Sequence, residues 1–504
     1  MELDDRALPL TRGQLDIWLA QETGLFGARW QLGYLLRFEG TVEPGLLERA
    51  IRQVVGEAEP LRAAFFEVDG QVFQKTVDYP DVELASYDLL GSQDPVQEVH
   101  RLASSIQRTL MPLSGPLFKF ALLHTRVDEL YWFVCCHHIV ADGIGLALVI
   151  HRIVDVCNAM ASGASIPPPF FGSLSDLIAC ELEYEASTDY LDDQAYWTKN
   201  LPPEGEPRYR LVPAADGHDP YASSAPVQLD PVAVAGIQEL SQALGVRRSS
   251  VITAACALLV RGCDVESSEV VLDFAVSRRV RPEAQTVPGM ITGDVPLVLK
   301  ASPGSAVASF CKHVDTRLRE ALQHQRFPVR VIENKARLRN SAQASSRVIV
   351  NFIPTTHLGD LAGAPGSGTL SHTNLVEQLG LFFYRDDDRL FLSTAGAVQL
   401  FSDCDVRDLV ERLDRVLVGM AADPGRSLSS VELLGESEHA RLAEVGNRVV
   451  LTAPSVAAPV SIPVLFAEHV TRTPQAVAIS FEGGSLSYRE LDEAANRLAH
   501  LLAG

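Results

Sequence analysis

Two histidines, His137 and His138, stand side by side where the apolar run Tyr131–Cys136 ends, and Asp142-Gly143 follows closely. Histidine is the side chain best suited to moving a proton near neutral pH. Asp142 makes a good helix N-cap, and Gly143 lets backbone come close to a ligand. Leu146, Val149, Ile150, Ile153, Val156 and Met160 recur at helical spacing. Asp142 and Gly143 are therefore predicted at a helix N-terminus, where free N–H groups and the positive end of the helix dipole gather. A strand-end histidine facing them would offer a base beside a place for developing negative oxygen charge.

Other chemistry fits the same residue types. Two adjacent histidines can be purely structural. His137, His138 and Asp142 could hold a metal, although neighbouring side chains on a strand point to opposite faces. Asp142 could orient a histidine as in a triad, but the surroundings mark no Ser or Cys as nucleophile. Cys135 and Cys136 lie within the apolar run and read as inert thiols.

The elements that must position these residues alternate between strand and helix. Leu117–Thr125 and Glu129–His137 are β-rich runs separated by a short polar turn, which predicts neighbouring strands. Gly45–Glu59 is an amphipathic helix, and Ser173 or Ser175 caps another. Beyond a Pro/Gly-rich connector, Ser162–Gly172, lie the helices Val232–Gly245 and Ser250–Gly262. The strands Glu269–Ser277, Ser346–Pro354 and Arg389–Gly396 follow. This alternation predicts an α/β fold. Val449–Pro463 reads as a linker, and the remaining segment as the start of a further domain.

The 504 residues suit roughly three folding units and are 47% hydrophobic and 21% charged, as in a globular protein. A net charge of −21 without a Lys/Arg stripe argues against nucleic acid. The N-terminus has no signal-peptide pattern. The longest apolar runs, such as Ala254–Val260, read as too short to span a bilayer. The eight cysteines lack zinc or redox spacing, and a cytoplasmic protein with reduced, mostly buried thiols is expected.

His137-His138-Ile139-Val140-Ala141-Asp142-Gly143 resembles the HHxxxDG motif of nonribosomal peptide synthetase condensation domains, which belong to the chloramphenicol acetyltransferase-like superfamily. Four further segments support the resemblance in order. They are Leu10–Glu22 with Gln14, Trp18 and Leu19; Leu61, Arg62 and Phe65; Ser277–Leu299; and His324–Ile332. Leu486–Leu502 resembles the first core motif of an adenylation domain. In two places the chain departs from the pattern: Arg278 stands where the family segment has glycine, and Gly293, followed by Asp294, where it commonly has asparagine.

The resemblance implies two acetyltransferase-like lobes in a V with a central tunnel, residues 1–175 and 176–445. A linker over 446–462 and an adenylation-domain fragment over 463–504 follow. It implies amide formation between a donor acyl thioester (peptidyl, aryl or fatty acyl) and the amine of an aminoacyl thioester on a downstream carrier domain. No carrier precedes the domain in this sequence, so the donor is expected on an upstream carrier protein in trans, with an adenylation domain in cis. His138 is the implied acid/base or amine-positioning residue and Gly143 N–H the oxyanion contact. His137 and Asp142 complete the motif, His137 as a structural residue and Asp142 in an ion pair with Arg279. Substrates ride on 4′-phosphopantetheine; no bound cofactor, metal, nucleic acid or membrane is expected. A starter-type domain that N-acylates an amino acid with a fatty acyl or polyketide donor, and a non-catalytic carrier-docking platform, are the alternatives. His137 argues against a cyclisation relative, and the adenylation-like segment that follows argues against an epimerase.

Overall fold

The strand Glu129–His137 is buried along its whole length, because it is central in its sheet and lined by aromatic and β-branched residues that suit a pleated core. It pairs antiparallel with Gln31–Glu39 on one side and Phe118–Arg126 on the other. Leu84–Asp88 extends the sheet in parallel beyond Phe118–Arg126. Gly366–His372 closes the opposite edge against Gln31–Glu39. The computed structural model describes residues 7–22, 30–79, 82–202, 211–213, 224–262, 268–333, 347–353, 359–372, 379–386, 388–396, 398–401, 405–446, 448–452, 460–481 and 483–503.

Helices Pro44–Glu57 and Gly143–Ser162 bury their apolar faces in one core with this sheet. Gly163 ends the second helix in the left-handed conformation, φ 69°, where a side chain would be strained. By length and composition Gly143–Ser162 could cross a bilayer, which corrects the expectation drawn from the short apolar runs. Its apolar side is instead spent on the protein interior: Leu146, Val149, Ile150, Ile153 and Val156 are all buried there.

A second sheet runs Gly293–Lys300, Glu269–Val276, Val348–Ile353, Leu379–Asp386, Arg389–Ala395, Val227–Gln228. Its two inner pairings are parallel and the others antiparallel. Helices Pro231–Leu244, Arg248–Arg261, Val307–Gln323 and Val406–Ala422 share a second core with it. A small third cluster joins Leu174, Leu177 and Ile178 to Ala284, Val287 and Ile291. The α/β class holds, with mixed rather than purely parallel sheets. Gly366–His372 falls in the stretch expected to form the second lobe, yet it pairs with the first sheet and covers an edge that would otherwise expose unpaired backbone groups.

Residues Met1–Leu433 form one compact unit and Leu434–Gly504 another. The second unit holds the helix Glu436–Val445, a two-stranded hairpin of Val477–Phe481 and Gly484–Ser487, and the helices Ile462–Arg472 and Tyr488–Ala503. The expected linker begins with a short helix, Arg448–Thr452. Residues 453–459 of that linker lie outside the described residues.

Candidate active site

The strand ladder ends at His137, which pairs with Gln31. His138 already lies in the turn that follows, so strand alternation does not set the direction of its ring. The turn is held from outside. His137 N–H donates to Leu117 O at 2.9 Å and His138 N–H to Trp30 O at 2.6 Å. Gln14, from the opening motif, donates through Nε2 to Ile139 O at 3.2 Å. Thr11 N–H in turn donates to Gln14 Oε1 at 2.9 Å.

The two rings take opposite tautomers. His137 Nδ1 accepts from Ile139 N–H at 3.2 Å, so the neutral ring carries its proton on Nε2 and serves the turn. Burial, with a smaller contribution from His138, pushes its pKa down to about 3. His138 Nδ1 lies 3.2 Å from Met290 Sδ, a thioether sulfur that only accepts, so the proton sits on Nδ1. Nε2 keeps its lone pair, and no described residue hydrogen-bonds it. Burial lowers the His138 pKa, against the opposing pull of Asp142 and of its own backbone. The ring is thus a neutral base near pH 7.

Asp142 is fully buried, and its carboxylate caps the helix by accepting from Gly145 N–H at 2.7 Å. It accepts two further bonds from Arg279, at 2.7 and 2.8 Å. Ile291 N–H and Thr292 N–H add contacts at 3.0 and 2.9 Å. Burial pushes this carboxyl up, but the Arg279 charge and these donors outweigh it and hold the pKa below its usual value. Five donors occupy the two oxygens, which leaves no lone pair to orient a histidine or ligate a metal. Among the described residues no three His, Cys, Asp or Glu side chains converge for a metal.

Gly145 is required by close packing, since a Cβ there would stand 3.0 Å from Gly289 O and from Pro288 C. Gly143 differs. A Cβ would meet only Tyr34 Oη, at 3.8 Å, so open space lies over the first turn of the helix. At the first helical position its N–H has no carbonyl to accept it within the helix. Tyr34 Oη donates to Gly143 O at 3.3 Å. Tyr34 and Met290 border the site; Tyr34 carries no motif, and Met290 lies within the Ser277–Leu299 segment but nothing in its own type or spacing marks it. Of the residues grouped from the sequence, His138 opens the turn that leads to the helix and Gly143 begins the helix, while His137, Asp142 and Arg279 brace that turn and helix start.

A mixed α/β fold with a neutral histidine just ahead of a helix N-terminus suits acyl transfer. The Condensation domain family matches residues 5–443, and the chain belongs to it: it is an amide-bond-forming domain of nonribosomal peptide synthesis. The chain is 28% identical to an isonitrile lipopeptide synthase of Mycobacterium tuberculosis over 99% of its own length and 20% of that protein's. It is 26% identical to enterobactin synthase component F of Escherichia coli K12 over 98% of this chain and 38% of the relative. It thus spans from a fifth to two fifths of the length of these curated relatives. The first condensation domain of the calcium-dependent antibiotic synthetase, bound to a substrate analogue, superposes with a TM-score of 0.75 at 27% identity. That match covers 85% of this chain and all of the other. A starter condensation domain of rhizomide synthetase in complex with C8-CoA gives 0.71 at 25% identity, over 85% of this chain and 98% of the other.

Proposed function

We propose that this domain joins a donor acyl group, presented as a thioester on one carrier, to the amine of an aminoacyl thioester on a downstream carrier, with His138 as the catalytic residue. The observation that carries the reading is the free, neutral Nε2 of His138 in a turn held against a helix N-terminus. An α-amine has a pKa of about 8, so part of it is neutral near pH 7 and attacks the donor carbonyl. His138 Nε2 takes the ammonium proton from the tetrahedral intermediate. Gly143 N–H meets the oxyanion. Collapse forms the amide, breaks the C–S bond, and returns the proton to the departing thiolate. Holding two tethered substrates together lowers the barrier by about 7–11 kcal/mol. Proton transfer by the histidine adds about 10²–10⁴-fold. Both substrates ride on 4′-phosphopantetheine arms of carrier domains.

A starter role, with a fatty acyl donor, is the second reading. Likeness to a starter domain crystallised with C8-CoA and to a lipopeptide synthase favours it. A pure docking platform has no use for a base with an uncommitted lone pair. We read residues 463–504 as the opening of an adenylation domain acting in cis, supported by synthase relatives that match 98% or more of this chain. Mass spectrometry of the downstream carrier after mixing with peptidyl-, aryl- and fatty acyl-loaded donors tests the reading. A new amide on that carrier supports it, and its absence with every donor refutes it.

A further inference from the structure

One residue before Arg279 the chain turns through the left-handed region. Arg278 has φ 55°, a conformation that favours glycine, the residue the family segment carries there. Its side chain lies across Gly293. A Cβ at 293 would stand 2.2 Å from Arg278 Cζ and 2.4 Å from Nη2. The guanidinium thus fills the room a side chain at 293 would need. The two departures from the family pattern meet in space, with the arginine at 278 lying in the room left by the glycine at 293.

The guanidinium is anchored at one end only. Arg278 N–H donates to Gln325 Oε1 at 3.1 Å and Nε to Gln325 O at 3.2 Å. Nη1 and Nη2 hydrogen-bond no described residue. Burial lowers the Arg278 pKa, and Asp16, Asp294 and Glu181 only oppose that effect. Those carboxyls are themselves pushed up by burial, Asp294 to about 6 and Asp16 and Glu181 in the same direction. The three carboxyls act on the guanidinium through charge alone, and none of them hydrogen-bonds it.

Arg278 lines an open cleft together with Arg12, Arg281 and Arg326. Two of the four are committed. Arg12 Nε holds Glu185 at 2.7 Å. Arg326 lies 4.0 Å over the Tyr184 ring and donates to Cys180 O at 3.2 Å. Arg278 and Arg281 are left with unused terminal nitrogens. One segment serves both places: Ile291 lines the cleft and its backbone N–H donates to Asp142, and Met290, next to it in the chain, lies against His138.

We propose that this cleft is a subsite for a carboxylate borne by one of the two condensing substrates, held by the free forks of Arg278 and Arg281. A guanidinium presents paired N–H groups that match a carboxylate. The inference rests on the amide-forming reading and names a substrate class for it. The phosphate of the carrier arm is the weaker fit, because such an arm is common to carrier-borne substrates whereas Arg278 is a departure from the family segment the chain otherwise resembles.

Calorimetric titration of the purified chain tests it with four N-acetylcysteamine thioesters. Glutamate and glutamine probe the acceptor side; succinic and succinamic acid probe the donor side. We expect the acidic member of one pair to bind about 10-fold tighter than its neutral partner, as for one charge-assisted contact. The preference should vanish in Arg278→Gly, which relieves the left-handed backbone, and shrink in Arg281→Gln, an exposed change that leaves the fold alone. Equal binding within each pair, no binding by any probe, or a preference that survives Arg278→Gly overturns the proposal. Arg278-dependent binding of 4′-phosphopantetheine without an acid preference overturns it in favour of the arm. Amide yield in the same samples reports separately. Neutral pairs that condense without an acid preference sink the subsite alone. Acid preference without any amide sinks the amide-forming reading and leaves the subsite standing.

Discussion

Asp142 and Arg279 meet through two parallel hydrogen bonds, at 2.7 and 2.8 Å, across 137 positions of sequence. The contact ties the first turn of the site helix to the segment that supplies Met290 and Ile291. Arg279 is 8% exposed and Asp142 not at all, so either charge left alone would be stranded in the interior. We expect Asp142→Ala and Arg279→Ala each to cost about 3–5 kcal/mol of stability. The double variant should lose less than the sum, because each single change leaves the other's partner uncompensated. Equilibrium denaturation of the four proteins checks this, and strict additivity would mean that the pair is not coupled.

Much of this was legible from periodicity and caps. The helix from Gly143, its Asp142 cap and the neighbouring strands before it follow from residue order alone. The long-range geometry was not. His138 leaves the ladder because His137 is the last residue with a strand partner, and a pairing register cannot be read from one strand's sequence. Tyr34 reaches Gly143 from an adjacent strand, and Met290 reaches His138 across 152 positions. Gly366–His372 joins the first sheet, which only tertiary pairing decides. Arg278 and Gly293 are fifteen positions apart, and only the tertiary fold lays the side chain of one in the room left by the other.

His138→Ala should lower the rate of amide formation by about 10²-fold or more with little change in melting temperature. The ring's Nε2 bonds no described residue, and only Met290 Sδ leans on Nδ1. Single-turnover assays with loaded carriers, run beside thermal melts, separate the two effects. A near-normal rate would reassign the proton transfer to another group.

The two glycines of the helix start should respond differently. Gly145→Ala drives a methyl against Gly289 O and Pro288, which are backbone atoms that cannot swing aside. It should cost about 1–3 kcal/mol, the range for overpacking. Gly143→Ala meets nothing closer than 3.8 Å, so stability should stay near that of the parent. Its methyl enters the space over the first turn and should slow the reaction. Equal destabilisation by both changes would show that no open space exists at Gly143.

The second unit should form no aminoacyl adenylate in the 504-residue chain. It consists of a hairpin and a few helices that leave Phe481, Leu498, Leu501 and Leu502 exposed. Amino-acid-dependent exchange of pyrophosphate into ATP measures it directly, and any signal above background contradicts the expectation.

The pH dependence of stability should carry the mark of His137. Its folded pKa lies at about 3 because of burial and then His138, against about 6.5 for a free histidine. Below pH 6.5 the unfolded chain therefore takes up a proton that the folded chain refuses. Stability falls as pH falls across the window from about 6.5 to 3, with a limiting slope of about 1.4 kcal/mol per pH unit. His138, also lowered by burial, steepens the same window. Asp142 acts elsewhere. Its carboxyl is held below the ordinary value, so its contribution is complete above about pH 3.9 and is lost only as pH drops through the folded pKa. His137→Asn keeps an acceptor within reach of Ile139 N–H and removes the titration. Urea denaturation at about pH 7, 6 and 5 should give a shallower decline for this variant than for the parent, by up to one proton's slope. Parallel declines would mean that His137 takes up its proton in the folded chain, and that the ring does not serve the turn as a buried neutral acceptor.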